Sequence, residues 1–228
     1  MRTGLIVSVF WCLSCCLSIA QNQQQATEIA VYHIRSEKQG IISAILRDVR
    51  QNIANFKGFQ DYRTLRSLGE KGVYVDILHW KSAKDAEKAS RRVQSEPHFA
   101  SFLESIDSIY AYGDFLPYYL PIKSQKTMKT TQNITEVVMY QIKQGNLANY
   151  TTLCKNVDNE LRNFPGFISR TVLQDHKDPS MFVDIVVWES LDDAQNAPKN
   201  AETLPTMQPF FAATERVISF QHYTTFIP

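Results

Sequence analysis

The run YVDILHW, Tyr74 to Trp80, has the length and the aliphatic and aromatic content of a β-strand, yet it sets a carboxylate, Asp76, among apolar residues. The chain repeats it as FVDIVVW, Phe182 to Trp188, with Asp184 in the same place. Side chains alternate across a strand, so Val75 and Ile77 point one way while Tyr74, Asp76, Leu78 and Trp80 point the other. Both faces are largely apolar, and a sheet apolar on both faces is covered on both. Helices cover one face, and the sheet of the second copy is the expected cover for the other, giving a barrel-like sandwich with helices outside.

Working outward, a shift of 108 positions pairs TEIAVYHI (Thr27 to Ile34) with TEVVMYQI (Thr135 to Ile142), and NFKGF (Asn55 to Phe59) with NFPGF (Asn163 to Phe167). From Thr27 to Leu120 no gap is needed and 20 of 94 positions are identical, against roughly 6 for unrelated sequences of ordinary composition. The chain is one domain duplicated. Within a copy, Thr27 to Arg35 reads as a strand, and Ile41, Ile42, Ile45, Leu46, Val49, Ile53 and Phe56 are spaced for one face of a helix that Gly58 ends. Phe59 to Leu68 and Val73 to Trp80 form a hairpin across GEKG. Ser82 three residues before Asp85, like Ser190 before Asp193, opens a second helix. A short helical piece around Phe99 to Leu103 and a last strand, Ile106 to Phe115, complete a βαββαβ unit of ferredoxin-like type. The fold class is therefore α+β, with two tandem units over residues 27–116 and 134–228 and a linker over 117–133 that would let one copy rotate against the other.

Residues 1–20 read as a signal peptide: Arg2, an apolar run, and small residues Ser18 and Ala20 before Gln21. Cleavage there removes three of the four cysteines and leaves Cys154 with no partner for a disulfide. It also removes Arg2, one of 24 basic residues, so that 23 remain against 23 acidic ones. A neutral, secreted or periplasmic protein is expected, with no bias toward nucleic acid and no membrane contact once the leader is cut. No metal motif survives, since HxH, HExxH and a cysteine cluster are all missing from the mature sequence.

The F-x-G-F helix end, the W-x-S-x-x-D-A motif at Trp80 to Ala86 and again at Trp188 to Ala194, and SEPHFASF (Ser95 to Phe102) together resemble the dimeric α+β barrel superfamily, specifically the antibiotic biosynthesis monooxygenase domains. The resemblance covers Thr27 to Phe115 and Thr135 to Phe226. It implies a pocket in each copy between sheet and helices, and an intramolecular version of a barrel that other members build from two chains, so that a monomer is expected. The family includes cofactor-independent oxygenases acting on phenolic or quinone-like molecules, and three functional readings stand beside one another: such an oxygenase, a non-catalytic binder of a small apolar ligand, and a structural module whose pockets its own side chains fill. The haem-degrading branch wants an Asn, a Trp and a His where this chain has His33 or Gln141, Ala89 or Ala197, and Leu103 or Phe211, so no cofactor is expected.

Asp184, His222 and Asp76 are the candidate catalytic residues. A carboxylate on a covered aromatic face either takes strong hydrogen bonds or has a raised pKa, and both suit an acid or base. The competing expectation is a structural bond to Tyr32 or Tyr140 on the neighbouring strand. Tyr32, Tyr140, His33, His98, Trp80 and Trp188 are the candidate substrate contacts. The histidines differ between copies: His33 faces Gln141 in the alignment, His79 faces Val187, His98 faces Thr206, and His222 stands where the first copy has Asp114. One pocket has therefore drifted from the other. Cys154 aligns with Leu46 and reads as a core filler.

Overall fold

The computed structural model describes residues 24–123 and 133–228. The expected leader, residues 1–20, and residues 124–132 of the expected linker lie outside them. The first repeat runs β1 (Ala26–Ile34), α1 (Ile42–Ile53), β2 (Phe59–Ser67), β3 (Val73–Trp80), α2 (Ala83–Ser95), α3 (Ala100–Ser105) and β4 (Ile106–Pro117). A two-residue strand, β5 (Ile122–Lys123), precedes the second repeat: β6 (Ile134–Ile142), α4 (Tyr150–Leu161), β7 (Phe167–Asp175), β8 (Met181–Trp188), α5 (Leu191–Glu202), α6 (Gln208–Ala213) and β9 (Thr214–Phe226). The two-fold βαββαβ order is the one the periodicities predict.

The repeated sequence motifs do one local job in both copies. Ser82 accepts the Asp85 backbone N–H and donates its hydroxyl to Asp85 Oδ2 at 2.8 Å, which caps α2. The Asp85 side chain lies against Gly58, where φ is +84° and a Cβ would come within 2.6 Å of it. Lys81 N donates to Gly58 O at 2.8 Å, so the end of β3 is clipped to the end of α1. Ser190, Asp193 and Gly166 repeat the arrangement. The glycine of F-x-G-F and the aspartate of W-x-S-x-x-D-A are thus two halves of one contact, and it needs glycine for both space and φ.

All pairings are antiparallel, in the order β4-β1-β3-β2-β9-β6-β8-β7, and β4 also pairs with β7. The sheet therefore closes on itself. One seam is β2 on β9, Thr64 to Ser67 against Phe226 to Tyr223; the other is β4 on β7, Phe115 to Pro117 against Asp175 to Leu173. Inside, Ile29, Val31, Val75 and Ile77 meet Val137, Met139, Val183 and Ile185 in one cluster drawn from both repeats. This corrects the expectation of a freely rotating linker. Two seams of backbone hydrogen bonds and a shared core join the repeats, while Ile122 and Lys123 pair with β7 and Tyr118 and Tyr119 pack into the second repeat. Outside the barrel, α1 to α3 cover the first repeat and α4 to α6 the second, with a separate apolar core beneath each set.

Candidate functional site

The face of β3 that carries Asp76 turns outward, under the helices, as does the face of β8 that carries Asp184. Each helix layer leaves a cavity over that face. The first, about 330 Å³, is walled by Glu28, Ala30, Tyr32, Val49, Ile53, Tyr62, Asp76, Leu78, Val93, Phe102, Ile106, Ile109 and Tyr112 among others. The second, about 430 Å³, is walled by Glu136, Val138, Tyr140, Leu161, Phe164, Asp184, Val186, Trp188, Pro198, Met207, Phe210, Val217 and Phe220 among others. Both volumes suit a small aromatic molecule. Both cavities reach solvent beside β4 and β9, where Ile109, Tyr112, Val217 and Phe220 are exposed.

The two carboxylates at the base of these cavities sit in different chemistry. Asp76 accepts the hydroxyls of Tyr32 (2.8 Å) and Tyr62 (2.8 Å) on Oδ2 and of Thr64 (2.7 Å) on Oδ1. Burial pushes its carboxyl up to about 6, with the three hydroxyls pulling the other way. Glu28 stands diagonally across the strand pair, since its register partner is Leu78, two residues from Asp76. Burial, with the negative charge of Asp114 added, lifts Glu28 to about 8; it accepts the Trp80 indole N–H at 3.0 Å. Near pH 7 the first cavity therefore holds one ionised carboxylate and one protonated carboxyl.

In the second repeat Arg170 replaces Tyr62 and Asp158 replaces Arg50. Arg170, fully buried, donates Nε and Nη2 to Asp184 Oδ2 at 2.9 and 2.7 Å, and Nη1 to Asp158 Oδ1 at 2.7 Å. Tyr140 donates to the other oxygen of Asp184 at 2.8 Å, and Tyr119 donates to Asp158 Oδ2 at 2.7 Å. Burial raises the Asp184 carboxyl while Arg170 opposes the rise. Cys154, buried against this network, has its thiol pushed up to about 11 by burial. It is inert filler in the position that Leu46 fills in the first repeat.

The remaining candidates divide by position. Tyr32 and Asp76 line the first cavity; Tyr140, Asp184 and Trp188 line the second. Trp80 lies fully buried behind Glu28. His33 Nδ1 is 3.5 Å from Asp107 at the far end of β1, and half-exposed His98 is 3.2 Å from Glu96; neither is in a cavity wall. The acid/base pair of Asp184 with His222 is not formed. His222 Nε2 lies 3.0 Å from Glu136 Oε2, its partner across β6 and β9, while Asp184 is taken by Arg170 and Tyr140. Nor do His33 and His79 approach each other: His33 on β1 pairs with Val73 on β3, while His79 on β3 pairs with Thr27 at the opposite end of β1. Among the described residues no group of three or more His, Cys, Asp or Glu is placed to hold a metal, and no helix is long and apolar enough to cross a membrane.

Glu28, Tyr62, Thr64, Asp158, Arg170 and Glu136 were not among the candidates. The legible signal for Glu28 and Glu136 was their identity in both copies on the cavity parity of the first strand. Asp158 and Arg170 carried no such signal, because the first copy has Arg50 and Tyr62 at those positions.

A closed antiparallel barrel from two ferredoxin-like units, with a cavity under each helix layer, defines a dimeric α+β barrel protein made within one chain. Residues 26–105 and 133–206 match the family described as antibiotic biosynthesis monooxygenase, and the chain belongs to that family. No curated protein matches it in sequence. Among solved structures it resembles an anthrone oxidase-like protein at TM-score 0.69 and 12% identity, over 91% of this chain and 93% of that one. A Fusobacterium nucleatum protein described as a monooxygenase by inference superposes at TM-score 0.62 and 9% identity, over 89% and 92% of the two chains. Chlorite dismutase of Candidatus Nitrospira defluvii, in complex with imidazole, does so at 0.61 and 9%, over 93% and 95%. Identities this low speak for a shared fold.

Proposed function

We propose that this chain is an exported, cofactor-independent monooxygenase acting on a small phenolic or quinone-forming aromatic, with the chemistry in the first cavity. One observation carries the reading: Asp76, a buried carboxylate whose donors are three hydroxyls, shares an apolar cavity with a second carboxyl, Glu28, that stays protonated near pH 7. Tyr32 and Tyr62 orient Asp76, and Tyr112 edges the cavity mouth. Asp76 takes a proton from a methylene C–H flanked by aromatic rings, or from the O–H of its enol tautomer, and the resulting carbanion passes one electron to O₂. The radical pair joins as a peroxide, which Glu28 protonates. Loss of water then leaves a carbonyl, so one oxygen atom enters the substrate, the other leaves as water, and CH₂ becomes C=O. A dry, aromatic wall favours the step by keeping the anion from solvent. The anthrone oxidase-like neighbour supports this substrate class by analogy of fold. The monomer is the working unit in this reading.

The test is oxygen uptake with anthrone as probe. Asp76→Asn is expected to lower the rate by at least about 100-fold, while Asp184→Asn, with Arg170 beside it, leaves the rate within a few-fold. Equal loss in both variants, or in neither, would remove the first cavity from the chemistry. The second cavity suits the binder class, ligand binding without turnover, because Arg170 holds Asp184 as the partner of a permanent cation.

A further inference from the structure

Glu28 and Asp114 are register partners on β1 and β4, and both side chains lie on the outward face of the barrel, since their neighbours Ile29 and Phe115 point inward. The second repeat puts Glu136 and His222 at the equivalent register, and there the two side chains meet at 3.0 Å. The first repeat sets two carboxyl groups in that place. Asp114 is 8% exposed, and its Oδ1 is buried without a hydrogen-bond partner among the described residues. Trp80 donates to Glu28 Oε2, which leaves Oε1 to carry a proton. Two ionised carboxylates repel at a buried register pair, whereas a carboxyl facing a carboxylate gives the orphaned acceptor a charge-assisted hydrogen bond.

We propose that Glu28 and Asp114 hold one proton between them, with Glu28 Oε1–H donating to Asp114 Oδ1, and that Asp114 is the positioning residue for the acid of the proposed reaction. The role, though not the pair itself, rests on the oxygenase reading. Glu28 lines the first cavity and Asp114 does not, so Asp114 acts from behind the acid without touching substrate. Tyr112 from β4 and Asp76 from β3 also face Glu28. Asp114 is faced by Glu87 from α2 and by Asp175, His176 and Lys177 at the end of β7 and in the turn after it. That turn belongs to the second repeat: His176 N donates to Asp114 O at 2.8 Å, and Lys177 Nζ lies 3.0 Å from Glu87. Burial lifts Asp114 to about 6 while Lys177 opposes the rise, so Glu28, at about 8, is the partner that keeps the proton at neutral pH. Once Glu28 releases it to the peroxide, two carboxylates face each other, and their repulsion favours recapture of a proton.

The experiment follows the side-chain carboxyl ¹³C resonances of Glu28 and Asp114 in the full chain over a pH series, assigned through Glu28→Gln and Asp114→Asn. In the wild type both resonances should show the same two steps, near pH 6 and pH 8. Asp76→Asn removes the other nearby carboxylate and should leave both steps in place. Asp114→Asn and Asp114→His, the second of which copies His222, should each lower the Glu28 midpoint by about 1 unit or more, and the alkaline limb of kcat/KM for oxygen uptake should move down with it. Independent single-step titrations in the wild type, or a Glu28 midpoint unmoved in a folded Asp114 variant, would overturn the proposal. A purely structural Asp114 would change the melting temperature and leave that midpoint alone. The titration needs no turnover: a shared proton without oxygen uptake removes the oxygenase reading and leaves the pair standing, while Asp76-dependent uptake with Glu28 indifferent to Asp114 removes the pair alone.

Discussion

Arg170 reaches one oxygen of Asp184 with two nitrogens, at 2.9 and 2.7 Å, from a side chain with no solvent exposure. Both partners come from neighbouring strands, β7 and β8, and the third member, Asp158, comes from α4 above them. The contact ties helix to sheet at the base of the second cavity.

Removing the cation should therefore be costly. Arg170→Met is expected to destabilise the protein by about 3–5 kcal/mol, because it strands two buried carboxylates. The double variant Asp158→Arg with Arg170→Tyr copies Arg50 and Tyr62 of the first repeat and should recover much of that loss. Urea unfolding of Arg170→Met checks the loss; that of the wild type, Asp158→Arg, Arg170→Tyr and the double variant measures the coupling, and simple additivity would show that the network is not a unit.

Asp76 and Glu28 make stability fall as pH rises. Each has a folded pKa raised by burial, so the native state binds more protons than the unfolded chain: from about 3.8 to about 6 for Asp76, and from about 4.5 to about 8 for Glu28. Their contributions are present in acid and lost through those windows. Glu28→Gln should flatten the fall between pH 6 and 8, where Asp76 no longer titrates. Chemical denaturation at a series of pH values reads this directly, and an unchanged slope in the variant would mean that Glu28 titrates normally.

The same pair fixes the expected rate profile. A base must be ionised and an acid protonated, so kcat/KM for oxygen uptake should rise through about pH 6 and fall through about pH 8. Glu28→Gln should abolish the alkaline limb while Asp184→Asn leaves both limbs in place.

Gly166→Ala introduces a Cβ where φ is +66° and where it would collide with Asp193. Backbone strain and the disturbed cap together should cost about 2 kcal/mol or more. A fall in melting temperature checks it, and the matching change at Gly58 should behave alike.

Closure of both seams within one chain leads to a hydrodynamic expectation: sedimentation should report one monomeric species whose unfolding midpoint does not depend on protein concentration.

The repeat and the βαββαβ order were legible because they live in local signals: alternation in VDILHW, helical spacing from Ile41 to Phe56, and the capping serines. Even the Asp76 bond to Tyr32 follows from strand parity. The network around Arg170 was hidden by the repeat itself, since alignment places Arg170 on Tyr62 and Asp158 on Arg50, and a charge within FISRTVLQD reads as a solvated position. The Asp114 charge beside Glu28 and the His222 partner of Glu136 depend on how β1 and β6 register against β4 and β9. Two register shifts in each pairing set that register, and nothing in the local pattern announces them.

A barrel assembled from two identical chains carries every substitution twice, so an arginine cannot be exchanged for an aspartate in one half alone. Fusing the halves lifts that constraint. Arg50 and Asp158, Tyr62 and Arg170, Asp114 and His222 are the record of its lifting: three places where a two-fold axis survives in the backbone and has been abandoned in the side chains.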